Sequence, residues 1–120
     1  MDMTNPVVRL CIEGTHAEFE HRNEDARALY QKAWELRKDD YDACIAAHYV
    51  ARFQDSLEET LYWNQVALEH AIVAQDERVA EFYPSLYVNL GNVYEILGYR
   101  EEAQKFYDLA ANLGIIHQSD

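Results

Sequence analysis

Residues 87–107 read YVNLGNVYEILGYREEAQKFY, and their spacing decides the fold of this chain. Small, aromatic and aliphatic residues recur there at helical intervals, at Tyr87, Leu90, Gly91, Tyr94, Ala103 and Tyr107. Gly98 lies between the two groups, and glycine readily adopts the left-handed conformation that ends a helix. Glu101 and Glu102 follow in the first turn of the next helix, where the helix dipole favours acidic side chains. The stretch therefore predicts a helical hairpin that turns at Gly98.

The same spacing recurs twice upstream in a weaker form. The first helix leads to the second by a step of nine residues each time, from Ala17 to Ala26, from Ala51 to Thr60 and from Tyr94 to Ala103. The three frames cover about 7–40, 41–74 and 84–117. No strand-like alternation of useful length appears. The 120 residues are therefore predicted to form one all-α domain, 1–120, with about six helices in three hairpins.

The residues of the third frame carry a resemblance to a known family. Their order, an aromatic residue, Leu, Gly and Tyr followed by Ala and a second aromatic residue, resembles the signature of the tetratricopeptide repeat. The resemblance covers almost the whole chain and is weakest in the second frame, where Thr60 and Asn64 replace the expected Ala and aromatic residue. It implies an α-α superhelix whose first helices line a concave groove for a protein or peptide partner.

Local signals predict where the helices begin. Ser56 and Glu59 have the spacing of a capping box at the start of the second helix of frame two. Asn23 is predicted to cap the second helix of frame one, with Glu24 and Asp25 in its first turn.

The connection 75–83 lengthens the second frame. Apolar residues continue at helical spacing to Val73, which predicts a long outer helix turning near Gln75. The third hairpin is predicted to begin at Pro84, because proline suits the first turn of a helix. A longer, kinked helix starting at Arg78 is the alternative.

The predicted groove is the face of each first helix that remains after the packing positions are assigned. Its candidate residues are Phe19, Ile45, Tyr49, Arg52, Phe53, Val88, Asn92 and Ile96. Apolar anchors with few charges suit a helix or an extended peptide. Asn92 is a candidate clamp for a peptide backbone. Arg52 either binds a carboxylate of the partner or pairs internally with Glu18, Asp55 or Glu95.

Some tetratricopeptide proteins bind acidic chaperone tails through basic residues and asparagines. The matching positions of this chain are Cys11, Thr15, Ala46, Ser85 and Asn89. None of these is basic, so the resemblance does not extend to that function.

Composition narrows the class of partner. The chain carries 10 basic and 22 acidic residues, a formal net charge of −12, which disfavours nucleic acid and anionic membrane surfaces. The N-terminus has no leader-like pattern, and no run of about 18 apolar residues occurs, so a cytoplasmic location is expected. Cys11 and Cys44 lack a paired spacing, which fits reduced thiols.

Catalytic, cofactor and metal sites are not predicted. The four glycines form no nucleotide-binding motif. The pairs His16 with Glu20 and Cys44 with His48 each offer two metal ligands at helical spacing, but neither has a third. The expected function is therefore a non-catalytic scaffold without a cofactor.

Two alternatives to partner binding stay open. The first is a homodimer formed through the uncapped C-terminal hairpin, whose candidate residues are Phe106, Leu113, Ile115 and Ile116. The second is a small-ligand or enzymatic role that uses Tyr49, Arg52 and Asn92 in the groove.

Overall fold

The computed structural model of the protein describes residues 3–113, and this part of the chain forms seven α-helices and no β-strand. In chain order the helices are α1 (Pro6–Phe19), α2 (Asn23–Glu35), α3 (Asp40–Val50), α4 (Leu57–Ala74), α5 (Glu77–Ala80), α6 (Tyr83–Ile96) and α7 (Arg100–Asn112). A short 3-10 turn, Ala51–Phe53, follows α3. Within 3–113, no helix is both long and apolar enough to cross a membrane. The predicted all-α architecture is confirmed.

The helices pair as hairpins, as the repeated spacing predicts. α1 packs against α2, α3 against α4, and α6 against α7. α3 lies against both helices of the first hairpin, whereas α6 reaches the second hairpin chiefly through α4. The remaining helix, α5, belongs to no hairpin. It contacts α3 and α4 and was not predicted as a separate element.

Glycines on the first helices allow close packing in hairpins one and three. A Cβ atom added at Gly14 would lie 2.3 Å from the ring of Tyr30, and one added at Gly91 would lie 2.5 Å from the ring of Tyr107. Real Cβ atoms do not approach a ring so closely, so each ring occupies space that only glycine leaves open. In these two hairpins the glycine of the first helix and the tyrosine of the second helix therefore pack directly against each other.

Hairpins one and three turn through a residue in the left-handed conformation. Gly98 has a φ of +93°, as predicted, and His21 has a φ of +61° at the corresponding place in hairpin one. The backbone N–H of Arg22 then donates to the carbonyl of Ala17 at 2.8 Å. The same turn therefore forms with a histidine, although a side chain in this conformation costs about 1–2 kcal/mol relative to glycine.

One predicted cap is confirmed and one is wrong. The backbone N–H of Glu59 donates to Ser56 Oγ at 3.1 Å, and that hydroxyl donates back to Glu59 Oε1 at 3.2 Å. Asn23, in contrast, is the first residue of α2 and not its cap. The cap position belongs to Arg22, which makes no side-chain capping bond. Helix α2 therefore begins one residue earlier than the polar pattern suggests.

The connection 75–83 is neither a loop nor a long helix from Arg78. The outer helix α4 runs to Ala74, which confirms the predicted extension, and Gln75 ends it with a φ of +47°. The four-residue helix α5 follows, and its Val79 is only 1% exposed. Burial of this one side chain against α3 and α4 gives the segment a fixed place.

Helix α6 begins at Tyr83, one residue before the predicted start at Pro84. Proline still lies in the first turn, where its missing N–H leaves no bond unmade. Leu86 and Leu90 are fully buried and seat this helix against its neighbours.

Candidate functional site

The structure separates the predicted groove residues by burial. Phe19 is 81% exposed and Ile96 is 65% exposed, each as the last residue of its helix. Arg52 and Asn92 are exposed, and Tyr49, Phe53 and Val88 are half-buried. Ile45 is only 1% exposed and belongs to the core, so it does not reach a partner at the surface. We define the groove face as Phe19, Tyr49, Arg52, Asn92 and Ile96.

Arg52 pairs internally with Glu18 across the first two hairpins. Its Nε donates to Glu18 Oε1 and its Nη2 to Glu18 Oε2, both at 2.8 Å. The hydroxyl of Tyr30 also donates to Glu18 Oε1. The other two predicted partners of Arg52 are engaged elsewhere, since Asp55 lies 3.4 Å from Arg27 and Glu95 lies 2.6 Å from the hydroxyl of Tyr107.

The Glu18 carboxylate is held in its charged form. Hydrogen bonds from Arg52 lower its pKa, with a further contribution from Tyr30, and these outweigh the opposing effect of burial. Glu18 binds a proton less readily in the folded protein than in the unfolded chain. The Glu18–Arg52 pair therefore stabilises the fold at pH values above 4.5, the ordinary pKa of Glu18. That stabilisation is lost as the pH falls through the lowered pKa.

We expect Glu18→Gln to lower the free energy of unfolding by about 1 kcal/mol at pH 7, since it removes the charge from a bidentate pair that is partly open to solvent. At an acidic pH below the lowered pKa of Glu18, the difference from the wild type should be much smaller, because Glu18 itself is then largely protonated. Urea unfolding followed by circular dichroism at the two pH values measures this. An equal difference at both would show that the charge of Glu18 does not act on stability.

Two aromatic residues of the predicted groove pack on Tyr30. The ring of Tyr49 lies 5.2 Å from that of Tyr30, and the ring of Phe53 lies 6.1 Å away in a stacked arrangement. Phe53 lines a separate cleft of about 410 Å³ beside α2, together with Arg27 and Asp55. Tyr49 and Phe53 therefore pack between the first two hairpins and are also partly exposed at the surface there.

A polar cleft of about 260 Å³ lies where hairpins two and three meet. It is lined by His48, Ala51, Arg52, Thr60, Asn64, Asn89, Asn92 and Val93. Burial lowers the pKa of His48, and the positive charge of Arg52 lowers it further, so the imidazole is neutral at pH 7. Asn89 Nδ2 lies 3.5 Å from His48 Nδ1 and links α6 to α3. Asn92 Oδ1 lies 2.8 Å from the hydroxyl of Tyr107.

Sequence reasoning placed Arg52 and Asn92 on the groove but missed the cleft between them. The signal was present at His48, which occupies the position of Gly14 and Gly91, and at Asn64, which occupies the position of Tyr30 and Tyr107. Hairpin two therefore has a polar pair where hairpins one and three each have a glycine–tyrosine contact. Its two helices are packed differently from those of the other hairpins.

The candidate self-association edge is only partly described. Phe106 is half-buried, with its ring stacked 5.6 Å from that of Tyr94, so it packs inside hairpin three. Leu113 is 52% exposed just beyond the end of α7. Ile115 and Ile116 lie outside the described residues.

Other reactive side chains are buried or dispersed. Cys11 and Cys44 are free thiols whose pKa burial raises to about 12, so they are not thiolates at neutral pH. Across residues 3–113, no three or more His, Cys, Asp or Glu side chains are grouped closely enough to hold a metal ion.

The groove face and the polar cleft together cross all three hairpins. The Glu18–Arg52 pair joins hairpins one and two, and the cleft that Arg52 shares with Asn92 joins hairpins two and three. No protein-family model, curated protein or solved structure matches this chain.

Proposed function

We propose that this chain is a non-catalytic module of tetratricopeptide-like hairpins that binds a protein or peptide through the groove face. The observation that carries the proposal is the exposure of Phe19 and Ile96, at 81% and 65%, on the same turn of the first helices of hairpins one and three. Large apolar side chains so exposed at equivalent places favour a surface that a partner covers.

The polar centre between these two anchors supports the same proposal. Arg52 is held by two hydrogen bonds to Glu18, so little side-chain freedom is lost when a partner contacts it. Nε and Nη2 make both Arg52 hydrogen bonds within residues 3–113, so Nη1 can donate to a carbonyl of an extended chain. Apolar anchors around an ordered polar centre resemble the organisation of peptide-binding surfaces.

The charge of the chain favours a basic or apolar partner. A formal net charge of −12 attracts cationic segments over several ångströms and repels acidic ones. With nucleic acid and anionic membranes disfavoured by the same charge, the proposed setting is a cytoplasmic protein complex.

The proposal predicts that Phe19→Ser with Ile96→Ser abolishes partner capture from a lysate of the source cell. The control is Tyr62→Ser with Val73→Ser, which removes an aromatic and an aliphatic side chain of similar exposure, 58% and 65%, from the outer helix α4. We expect the wild type and the control to retain the same protein and the groove variant to lose it. Titration of purified chain with that protein should then show at least a tenfold weaker affinity for the groove variant.

Equal retention of the same protein by the wild type and both variants would overturn the proposal, because the partner would then bind a surface other than the groove face. Loss in the control but not in the groove variant would place the partner on α4. Circular dichroism checks that every variant remains folded, which is expected because all four side chains are exposed.

A second candidate function is self-association through the last helix. Leu109 and Leu113 lie one turn apart and are 43% and 52% exposed. Sedimentation of the wild type over a range of concentrations, compared with Leu109→Asp combined with Leu113→Asp, tests it. A mass that rises with concentration only in the wild type would favour this function.

A further inference from the structure

The junction between hairpins two and three is built differently from the junction between hairpins one and two. Hairpins one and two share one cluster of buried apolar side chains, and the ring of Tyr30 packs across their junction on Tyr49 and Phe53. Of the buried residues described in α6 and α7, Leu86 alone belongs to that cluster. The others, which lie outside it, are Leu90, Gly91, Val93, Ala103 and Ala110. Hairpin three therefore joins the shared core in the first turn of α6 and not along its length.

Further along α6, side-chain polar contacts join the two hairpins. Gln65 Nε2 donates to the hydroxyl of Tyr94 at 3.0 Å, and Asn89 Nδ2 lies 3.5 Å from His48 Nδ1. The polar cleft of about 260 Å³ lies at the same junction. Water replaces such hydrogen bonds when a junction opens, so they hold it closed less firmly than buried apolar side chains do. We therefore expect hairpin three to open as a unit before hairpins one and two separate.

His48 is the group of this junction whose charge changes near neutral pH. It is half-buried, lines the cleft and is neutral at pH 7. A neutral imidazole can accept at Nδ1 from Asn89, whereas an imidazolium donates at both nitrogens and cannot accept there. Turning the amide of Asn89 would restore a hydrogen bond, but it would supply no negative charge.

A protonated His48 would face a cation and no carboxylate. Apart from His48, the charged residue that lines the cleft is Arg52, and within residues 3–113 the only charge that shifts the pKa of His48 is that of Arg52. The neighbouring Tyr49 presents its ring at 5.2 Å. Charged groups on the elements around α3 have other partners, namely Glu18 with Arg52, Arg27 with Asp55, His70 with Asp40, Arg78 with Asp76, and Glu95 with Tyr107.

The direction of the pH effect follows from the state in which His48 binds a proton more readily. Burial and Arg52 hold its pKa below the ordinary 6.5 while the junction is closed. An open junction exposes the ring to water, which returns the pKa towards 6.5. The closed junction is therefore fully stable above pH 6.5 and loses stability as the pH falls from 6.5 towards the lowered pKa. The equilibrium constant for opening rises by up to about tenfold per pH unit in that window.

We propose that protonation of His48 separates hairpin three from hairpin two, which makes their junction a pH-sensitive switch. The groove face crosses this junction, with Phe19 and Tyr49 on one side and Asn92 and Ile96 on the other. Opening in acid therefore divides the groove face. Release of a partner by this opening rests on the proposed function, whereas the opening itself does not.

The test is native-state hydrogen exchange of the free protein, followed by NMR at pH 7.5 and 5.5 and corrected for the intrinsic exchange rate at each pH. We expect the slowest amides of α6 and α7 to exchange through an opening that leaves those of α1 and α3 protected. The constant for this opening should rise severalfold, up to about tenfold, between pH 7.5 and 5.5. Equal protection of the four helices, or an opening constant that does not change with pH, overturns the proposal.

Histidine variants assign the response to one side chain. His48→Gln keeps a polar group that can accept from Asn89 but removes the titration, so its opening constant should be the same at both pH values. His70→Gln is the matched control, because it removes a second half-buried histidine, which pairs with Asp40. This control should open in acid as the wild type does. An acid response that persists in His48→Gln, or that disappears in His70→Gln, contradicts the assignment.

Asn89→Asp supplies the carboxylate that His48 lacks, and the expected result has the opposite sign. A negative charge at the position of the 3.5 Å contact stabilises the imidazolium in the closed junction. The opening constant of this variant should therefore stay level or fall between pH 7.5 and 5.5. A rise equal to that of the wild type overturns the proposal, and this result decides the matter if His48→Gln does not fold.

The exchange measurements need no partner, so they separate this inference from the proposed function. If hairpin three opens in acid while the groove variant still captures its partner, this inference stands and the proposed function fails. If the exchange shows no acid opening while the groove variant loses its partner, this inference alone fails.

Discussion

Tyr30→Ala should lower the free energy of unfolding by about 3–5 kcal/mol, a large part of the total for a domain of this size. Tyr30 is 1% exposed and is among the largest fully buried side chains in the described part of the chain. Its ring packs on Tyr49 and Phe53 and lies against Gly14, so alanine would open a cavity between three elements. Its hydroxyl also donates to Glu18, which would lose that bond.

Urea unfolding followed by circular dichroism measures the effect of Tyr30→Ala. Tyr30→Phe keeps the ring and removes only the hydroxyl, so we expect a loss of about 1 kcal/mol. Tyr107→Ala is the matched control in hairpin three, where the ring is half-buried and the loss should be smaller than at Tyr30. Similar losses for Tyr30→Ala and Tyr30→Phe would show that the ring does not carry the packing.

The second large effect is expected at Gly14. A methyl group there would lie 2.3, 2.7 and 2.8 Å from three ring atoms of Tyr30. The ring cannot move easily, because Tyr49 and Phe53 pack against it. Alanine normally stabilises a helix interior by about 1 kcal/mol relative to glycine. Overpacking costs about 1–3 kcal/mol or more, and we expect a net loss of about 2 kcal/mol for Gly14→Ala.

Gly91→Ala makes the same substitution at the equivalent position of hairpin three, where the facing tyrosine is less tightly packed. It therefore tests whether the contact with the tyrosine ring causes the loss. Its nearest contact would be 2.5 Å from Tyr107, a half-buried side chain that can move outward. The loss should therefore be smaller than at Gly14, as judged by the urea midpoints of the two variants. If Gly14→Ala were as stable as the wild type, the close contact with Tyr30 would not limit the residue at this position.

Much of the fold was predictable because it depends on local spacing. The turn at Gly98 and the capping box at Ser56 each involve residues within four positions of one another, so the chemistry of a few side chains decides them. The long outer helix α4 was predictable for a similar reason, since its apolar residues keep the helical period to Val73. Local propensity and tertiary packing agree at these places.

Other elements could not be predicted from spacing. His21 adopts the conformation that Gly98 adopts in hairpin three, although a histidine carries no local preference for it comparable to that of glycine. Helix α5 has only four residues and forms because Val79 is buried between α3 and α4. An isolated helix of that length is unstable in water. The packing of α1 against α2 accompanies the turn at His21, and contacts with α3 and α4 overcome the low intrinsic stability of α5.

The residues of the candidate site were likewise predictable only where local spacing decides their position. Among the residues that helical periodicity assigned to the groove, Phe19, Arg52, Asn92 and Ile96 are exposed, whereas Ile45 is buried in the core. Periodicity assigns a residue to one face of a helix, and it does not show how much of that face the neighbouring helices cover. The choice between Glu18, Asp55 and Glu95 as the partner of Arg52 likewise depended on distances between hairpins.

By itself, the sequence determined that residues 3–113 are helical without strands, that the helices pair as three hairpins, and that glycine and tyrosine recur at fixed places in hairpins one and three. These features follow from interactions along one helix or across one turn. Only the tertiary structure decided that Arg52 pairs with Glu18 and that the buried Asn64 borders a polar cleft between hairpins two and three. Those features depend on how far apart the hairpins lie, a distance set by the packing of side chains remote in the sequence.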